Sequence, residues 1–355
     1  MLWTVATLKN SPQFLLPLLF VLISCQPAAF GGEKKVVIAH RGAPGYLPEH
    51  TLESKAMAYA MGADYLEQDV VLTKDNRLII LHDVHLDTVT NVAQLFPKRA
   101  RKDGRYYAID FTLAEIKSLQ VTERIDLKNN TAVYPGRFPI RSGKFEISTL
   151  KEELELIQGL NKSTGRNVGI YVEIKSPAWH RKEGKDISRA TLEILYSYGY
   201  RDKDDNAYIQ CFNAAELKRL RYELKTKLKL VQLIGENDWN EAPTDYEPMK
   251  TLKGMGEIAK YADGIGPWIF QIVKGLDKQG NLIVTSMVKD AHANGLKVHP
   301  YTFRADSLPA YVSSLEELLR IFYIGIGVDG GFTDFPDRVV KFLREAEYRR
   351  TQGKK

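Results

Sequence analysis

Cysteine is nearly missing from this chain: the two among 355 residues are Cys25 and Cys211. Cys25 closes an N-terminal leader, so only Cys211 belongs to the folded part and no intrachain disulfide is expected there. Histidine is sparse as well, with seven residues, and no Cys/His cluster of the kind that binds zinc or copper occurs. The net charge of +6 is spread along the chain without a basic stripe or an aromatic-interleaved patch, so no nucleic-acid partner is expected. Internal repeats, low-complexity tracts and heptads are absent too, which excludes a solenoid or a coiled coil.

What is there reads first as a leader. Lys9 gives a thin positive start, and Phe14 to Ser24 an apolar run too short to span a bilayer. Leu22-Ile23-Ser24-Cys25 resembles a bacterial lipobox. Residues 1–25 are therefore expected to be a signal peptide, with Cys25 lipidated as the membrane anchor of an exported, periplasmic or envelope protein. A simply cleaved export signal is the alternative. The rest, 44% hydrophobic and 26% charged over the whole chain, has an ordinary globular composition, with room for one large barrel or two domains.

From residue 35 short β-rich runs alternate with amphipathic helical stretches, the pattern of parallel βα units. Eight runs read as barrel strands: Val36–Ala39, Tyr65–Val70, Val168–Ile174, Ala207–Phe212, Lys229–Ile234, Asp263–Pro267, Lys297–Phe303 and Gly327–Thr333. Helices are expected between most of them, among them Thr149–Leu160 behind a Thr149-x-x-Glu152 capping box, and Ile283–Ala293. The expected fold is α/β, a (β/α)8 TIM barrel over 33–345, although an open doubly wound sheet has the same periodicity. Residues 84–148 break the pattern and read as an insertion after strand two; 346–355 read as a frayed basic tail.

The chemistry concentrates at strand ends. A two-residue turn at Asp75-Asn76 would set Asp69 directly opposite His82, with Glu67 on the same face. Strand one runs into His40-Arg41-Gly42, and strand three ends in Glu173-Ile174-Lys175. Glu67, Asp69 and Glu173 are hard oxygen ligands for Ca²⁺, with Mg²⁺ the alternative. Arg41 offers a fork for a phosphate and Lys175 a point charge. His40 and His82 are the acid–base candidates. This combination suits phosphodiester cleavage. His50, His85, His180 and His292 read as surface or helix-start residues rather than ligands.

The same residues carry a family resemblance. The chain resembles the glycerophosphodiester phosphodiesterases, particularly their exported bacterial branch. The matching segments are His40-Arg41-Gly42, Pro48-Glu49-His50-Thr51, Glu67-Gln68-Asp69, Lys74-Asp75 and His82-Asp83. They continue through Glu173-Ile174-Lys175, Gln210-Cys211-Phe212, Val298-His299-Pro300-Tyr301-Thr302 and Thr333-Asp334-Phe335-Pro336. The resemblance implies a TIM barrel, a divalent metal on Glu67, Asp69 and Glu173, and His40 and His82 as the acid–base pair. It also implies cleavage of deacylated phospholipids such as glycerophosphocholine to sn-glycerol 3-phosphate and an alcohol. Gln210, Phe212, Trp268 and Tyr301 are expected to touch the substrate; for Trp268, Tyr301 and their neighbour Phe303, packing in the core is the equal alternative. Cys211, Asn213 and Tyr301 depart from the family's commoner residues, which leaves the preferred alcohol open. A phospholipase using the same apparatus, and an idle barrel serving as a binding protein, are the rival readings.

Overall fold

The computed structural model describes residues 34–352. Eight parallel strands form the expected barrel: Val36–Ala39, Tyr65–Leu72, Gly169–Ile174, Ala207–Cys211, Lys229–Ile234, Gly264–Pro267, Lys297–Val298 and Gly330–Thr333, numbered here one to eight. Strand one pairs with strands two and eight, and the remaining strands follow in chain order from two to seven. The seam between strands seven and eight is bridged by Asp329 N to Val298 O at 3.0 Å, Phe332 N to Pro300 O at 3.0 Å and Phe303 N to Phe332 O at 2.8 Å. Helices such as Leu52–Ala60, Leu150–Thr164, Ile187–Ser197 and Ala214–Tyr222 cover the outside. The Thr149/Glu152 capping box forms as the sequence indicates.

Strand parity divides the side chains. Leu66, Val70, Ile170, Val172 and Ile209 pack outward against the helices. Tyr65, Tyr171, Val231, Phe332 and Ile38 form a separate cluster inside the barrel, with Tyr208 against it. The inward column of strand two is thus Tyr65, Glu67, Asp69, and that of strand three is Tyr171, Glu173. An aromatic floor lies below and a carboxylate layer above. Within the floor Tyr171 stacks on Tyr208, with centroids 4.7 Å apart, and its hydroxyl meets His299 Nδ1 at 3.0 Å.

The hairpin on strand two differs from expectation by one residue. Val70 pairs with Ile80, Val71 with Ile79 and Leu72 with Leu78. The loop is Lys74-Asp75-Asn76: Thr73 N donates to Arg77 O at 3.0 Å, and Asn76 takes φ 59°. Asn76 supplies the left-handed residue a hairpin needs, but the third loop residue shifts the register. Asp69 therefore faces Leu81, whose N–H reaches the Asp69 carbonyl at 2.9 Å, and His82 stands beyond the ladder.

This hairpin has two buried faces. Val70, Leu72, Leu78 and Ile80 join the barrel core, whereas Val71, Ile79 and Leu81 join Leu86, Val89, Phe111, Val121 and Phe145 in a second core. The segment 84–148 is accordingly a small packed body, with its own capped helix at Leu113–Lys117. It returns where it left, with Ile79 bridging Thr149 and Ile80 N donating to Ser148 O at 2.8 Å. Two further expectations change. Leu282–Val284 pairs with Val273–Leu276 as a hairpin, so the helix there is Met287–Ala293. The closing helix Pro336–Gln352 runs on into the segment read as a frayed tail. The leader, with Cys25, lies outside the described residues. None of the described helices is long and apolar enough to cross a membrane.

Candidate active site

The upper layer of the barrel gathers the candidates. The register sets Asp69 beside Glu173 and Glu173 beside Gln210 across three neighbouring strands. Glu67, one inward position lower, accepts from the Arg41 backbone N–H at 2.6 Å and from Gln210 Nε2 at 3.3 Å. Burial and the neighbouring Asp69 charge hold Glu67 well above the usual carboxylate range. Asp69 is buried too, but Lys175 and the hydrogen bond from His50 outweigh that and hold it well below. Glu173 is pushed up to about 8, mainly by burial, against the pull of Lys175. Three buried carboxylates with split ionisation are what a cation would resolve.

The donor set fits a hard divalent ion. Asp69 Oδ1 and Gln210 Oε1 are buried with no hydrogen-bond partner, so oxygen lone pairs are left over where the carboxylates meet. One ligand atom each from His50, Glu67 and Asp69 lies within 4.8 Å of the others. His50 thus belongs to the site, contrary to its reading as a surface or helix-start residue. It does precede the helix Leu52–Ala60, yet it is 4% exposed. Its Nε2 lies 2.7 Å from Asp69 Oδ2, which suits a group that orients a ligand. Glu173, expected as the third ligand, falls outside that tight group. Its Oε1 is held instead by Lys175 Nζ at 2.6 Å.

Both acid–base candidates are built alike. His40 Nδ1 meets Asp334 Oδ1 at 2.6 Å, and His82 Nδ1 meets Asp83 Oδ1 at 2.5 Å. Each histidine therefore commits one nitrogen to a carboxylate and leaves Nε2 for chemistry. Burial, with help from Arg41, lowers His40 to about 4; burial, Arg41 and Lys175 lower His82. The two aspartates are fixed in turn. Asp334 Oδ2 accepts from Arg137 Nη2 at 2.6 Å and Arg304 Nε at 2.7 Å, and Asp83 Oδ2 from Arg124 Nη1 at 2.6 Å. Arg41 places Nη1 at 3.1 Å from both oxygens of Glu49 and Nε at 3.6 Å from Asp69.

Of the expected pocket walls, Lys175, Phe212, Tyr301 and Trp268 form one side. Lys175 Nζ lies 5.7 Å from the Phe212 ring centre and 3.2 Å from Glu241 Oε1. Phe212 meets Tyr301 edge-on at 6.0 Å, and Trp268 packs against Trp239 at 5.1 Å and Phe270 at 4.6 Å. Phe303 is not a wall: it is fully buried on Phe322 and Tyr323 outside the strands. His180 is a buried core residue whose Nε2 accepts from Leu72 N at 3.2 Å. Sequence reasoning gave no role to Asp83, Asp334 or Glu49, although all three lie in quoted motifs, and it had no signal for Arg124 or Arg137.

Residues 40–338 match the model of the glycerophosphoryl diester phosphodiesterase family. A glycerophosphodiester phosphodiesterase of Haemophilus influenzae is 48% identical over 327 residues, covering 87% of this chain and 90% of that protein. One from Treponema pallidum is 42% identical, covering 87% and 92%. A solved structure from Silicibacter pomeroyi DSS-3 aligns with TM-score 0.67 and 25% identity over 89% of this chain and 96% of that one. A phosphodiesterase of Oleispira antarctica, solved with the product sn-glycerol-3-phosphate, shares the fold at TM-score 0.57 and 22% identity, over 87% and 96%.

Proposed function

Since the chain belongs to the glycerophosphoryl diester phosphodiesterase family, we propose that its glycerophosphodiester phosphodiesterase activity is metal-dependent and releases sn-glycerol 3-phosphate from small diesters such as glycerophosphocholine. The observation that carries this reading is the pair of His–Asp dyads flanking buried carboxylates at the carboxyl end of the barrel strands. Glu67 and Asp69, with Glu173 beside them, would hold Ca²⁺ or Mg²⁺, which would supply Lewis-acid polarisation of the phosphoryl group. Arg41 and Lys175 attract and orient the phosphate.

His40 is neutral at pH 7, with its pKa lowered to about 4, so its Nε2 can take the proton of the glycerol 2-hydroxyl. The hydroxyl oxygen bonds to phosphorus as the bond to the alcohol breaks, and His82, which enters the cycle as the imidazolium paired with Asp83 beside the bound anionic diester, gives its Nε2 proton to the departing oxygen. Water then opens the cyclic phosphate with the roles exchanged: His82 takes the water proton, and His40 returns its own to the 2-oxygen. Asp83 and Asp334 stabilise the imidazolium that forms at each turn.

Hydrolysis of glycerophosphocholine, coupled to detection of glycerol 3-phosphate, tests the reading. Turnover should vanish in EDTA and in His40→Ala and Glu67→Ala. Full turnover after metal stripping would remove the metal from the reading, and no turnover on any head group with metal restored would favour a binding role. Export and an anchor on Cys25 belong to the same proposal; labelled palmitate should enter the wild type and not Cys25→Ser.

A further inference from the structure

We propose that the insertion supplies one positioning arginine to each proton-transferring histidine: Arg124 serves His82, and Arg137 serves His40. The inference rests on the acid–base reading of those two histidines.

Arg124 is half-buried and uses both edges of its fork. Nε and Nη2 meet the two oxygens of Glu49 at 3.0 and 2.6 Å, while Nη1 reaches Asp83 Oδ2 at 2.6 Å. Thr88 Oγ1 adds a hydrogen bond to the same Asp83 oxygen at 2.9 Å. Asp83 Oδ1 is thereby left aimed at His82. This matters because His82 stands past the last ladder pair, so strand pairing does not fix it. Glu49 also accepts from Arg41 at 3.1 Å, so the Arg124 fork ties the His82 dyad to the phosphate-binding arginine. A planar, two-edged guanidinium can do this and an ammonium cannot.

Arg137 repeats the arrangement across the mouth. Nη2 meets Asp334 Oδ2 at 2.6 Å, Nε and Nη2 meet Asp306 at 2.7 and 3.1 Å, and the group stacks on Tyr134 with 3.7 Å to the ring centre. Its side chain is 4% exposed. Here Arg304 shares the load, donating to the same Asp334 oxygen at 2.7 Å. Asp334 thus keeps one arginine if Arg137 is lost, whereas Arg124 is the one arginine among the described residues that hydrogen-bonds Asp83.

The two histidines move protons at different points, and the leaving group tells them apart. Choline needs a proton from the acid as it departs; p-nitrophenolate leaves without one. Kinetics are therefore read as single-turnover release of choline from glycerophosphocholine and of nitrophenol from glycerophospho-p-nitrophenol with metal saturating, because ring opening uses His82 with both esters. Arg124→Met should slow choline release by about 30- to 100-fold with the half-saturating substrate concentration changed less than about threefold, and nitrophenol release by less than about fivefold. Arg124→Lys should recover only part of the choline activity. Arg137→Met should lower both esters alike, by about tenfold. The opposite pairing, with the leaving-group effect on Arg137, would support the same division with acid and base exchanged.

Equal losses on both esters in every variant, or no loss in variants that unfold at the wild-type temperature, would overturn the proposal. If Arg124→Met fails to fold, Arg124→Lys carries the same test through the ratio of the two esters. No turnover of either ester by the wild type would instead overturn the acid–base reading, and the arginine assignment with it.

Discussion

The floor and the mouth of the barrel are built from the same strands, two residues apart, and they behave in opposite ways. In the floor, Tyr65, Tyr171, Tyr208 and Phe332 fill the interior with rings in edge and stacked contact. In the mouth, Glu67, Asp69, Glu173 and Gln210 crowd buried polar groups together, and Asp69 Oδ1 and Gln210 Oε1 are left without hydrogen-bond partners. The floor satisfies itself, whereas the mouth is stable only in company. One strand thus spends alternate inward positions first on stability and then on chemistry, which is where tolerance to substitution should divide.

The sharpest test of that division is Glu67→Gln. Activity should fall by about a thousandfold or more, while the metal-free protein melts at the same temperature or higher, since a repelling buried carboxyl has been removed. A clear drop in the melting temperature would erase the contrast. Next, Tyr171→Ala empties the centre of the floor and should cost about 3–5 kcal/mol in denaturant unfolding. A loss below about 1 kcal/mol would mean the floor is not a packed core.

The third test isolates the mouth by its alkaline limb. Glu173 in the mouth is raised to about 8 from 4.5, so the folded state holds a proton the unfolded state releases. Its stabilising contribution is complete below about pH 4.5 and is lost as pH rises to about 8. His299 in the floor and His40 in the mouth are both lowered to about 4 by burial, so both layers gain stability as pH rises from about 4 to 6.5. The metal-free protein should therefore lose on the order of 1–2 kcal/mol between pH 6.5 and 8. Added Ca²⁺ or Mg²⁺ should abolish that alkaline loss and leave the acid one. An alkaline loss untouched by either ion would place its cause outside the mouth. The smallest effect is expected for Tyr171→Phe, which removes only the bond to His299: about 1 kcal/mol, with kcat/KM unchanged.

Legibility follows the range of the forces involved. The strands could be read because alternation is local, and the site could be placed because a strand's carboxyl end is a sequence position. His82 was found for a partly mistaken reason. Turn length decides register, and Asp75-Asn76 serves a two-residue or a three-residue loop equally well. Asp334 and Glu49 stood in quoted motifs, but their partners lie far away in sequence, so nothing local marked them as supports. His50 is the helix-start residue its position indicates, and only the fold sets its Nε2 on Asp69. For Phe303 the core alternative holds, and the sequence left it open because outward packing on Phe322 and Tyr323 depends on a helix that arrives later. Arg124 and Arg137 were invisible among the scattered cations of the insertion.

The closure of the insertion on itself, with Ile79 beside Thr149 and Ile80 beside Ser148, has an evolutionary corollary. Chain entry and exit share one doorway, so such a segment can be acquired at a hairpin without rethreading the host. It can be traded between barrels as a cassette. The graft would be incomplete without Val71, Ile79 and Leu81, which belong to the host strands but face the guest. A transplant cut at the obvious borders would carry its arginines to the new barrel and leave behind the surface they stand on.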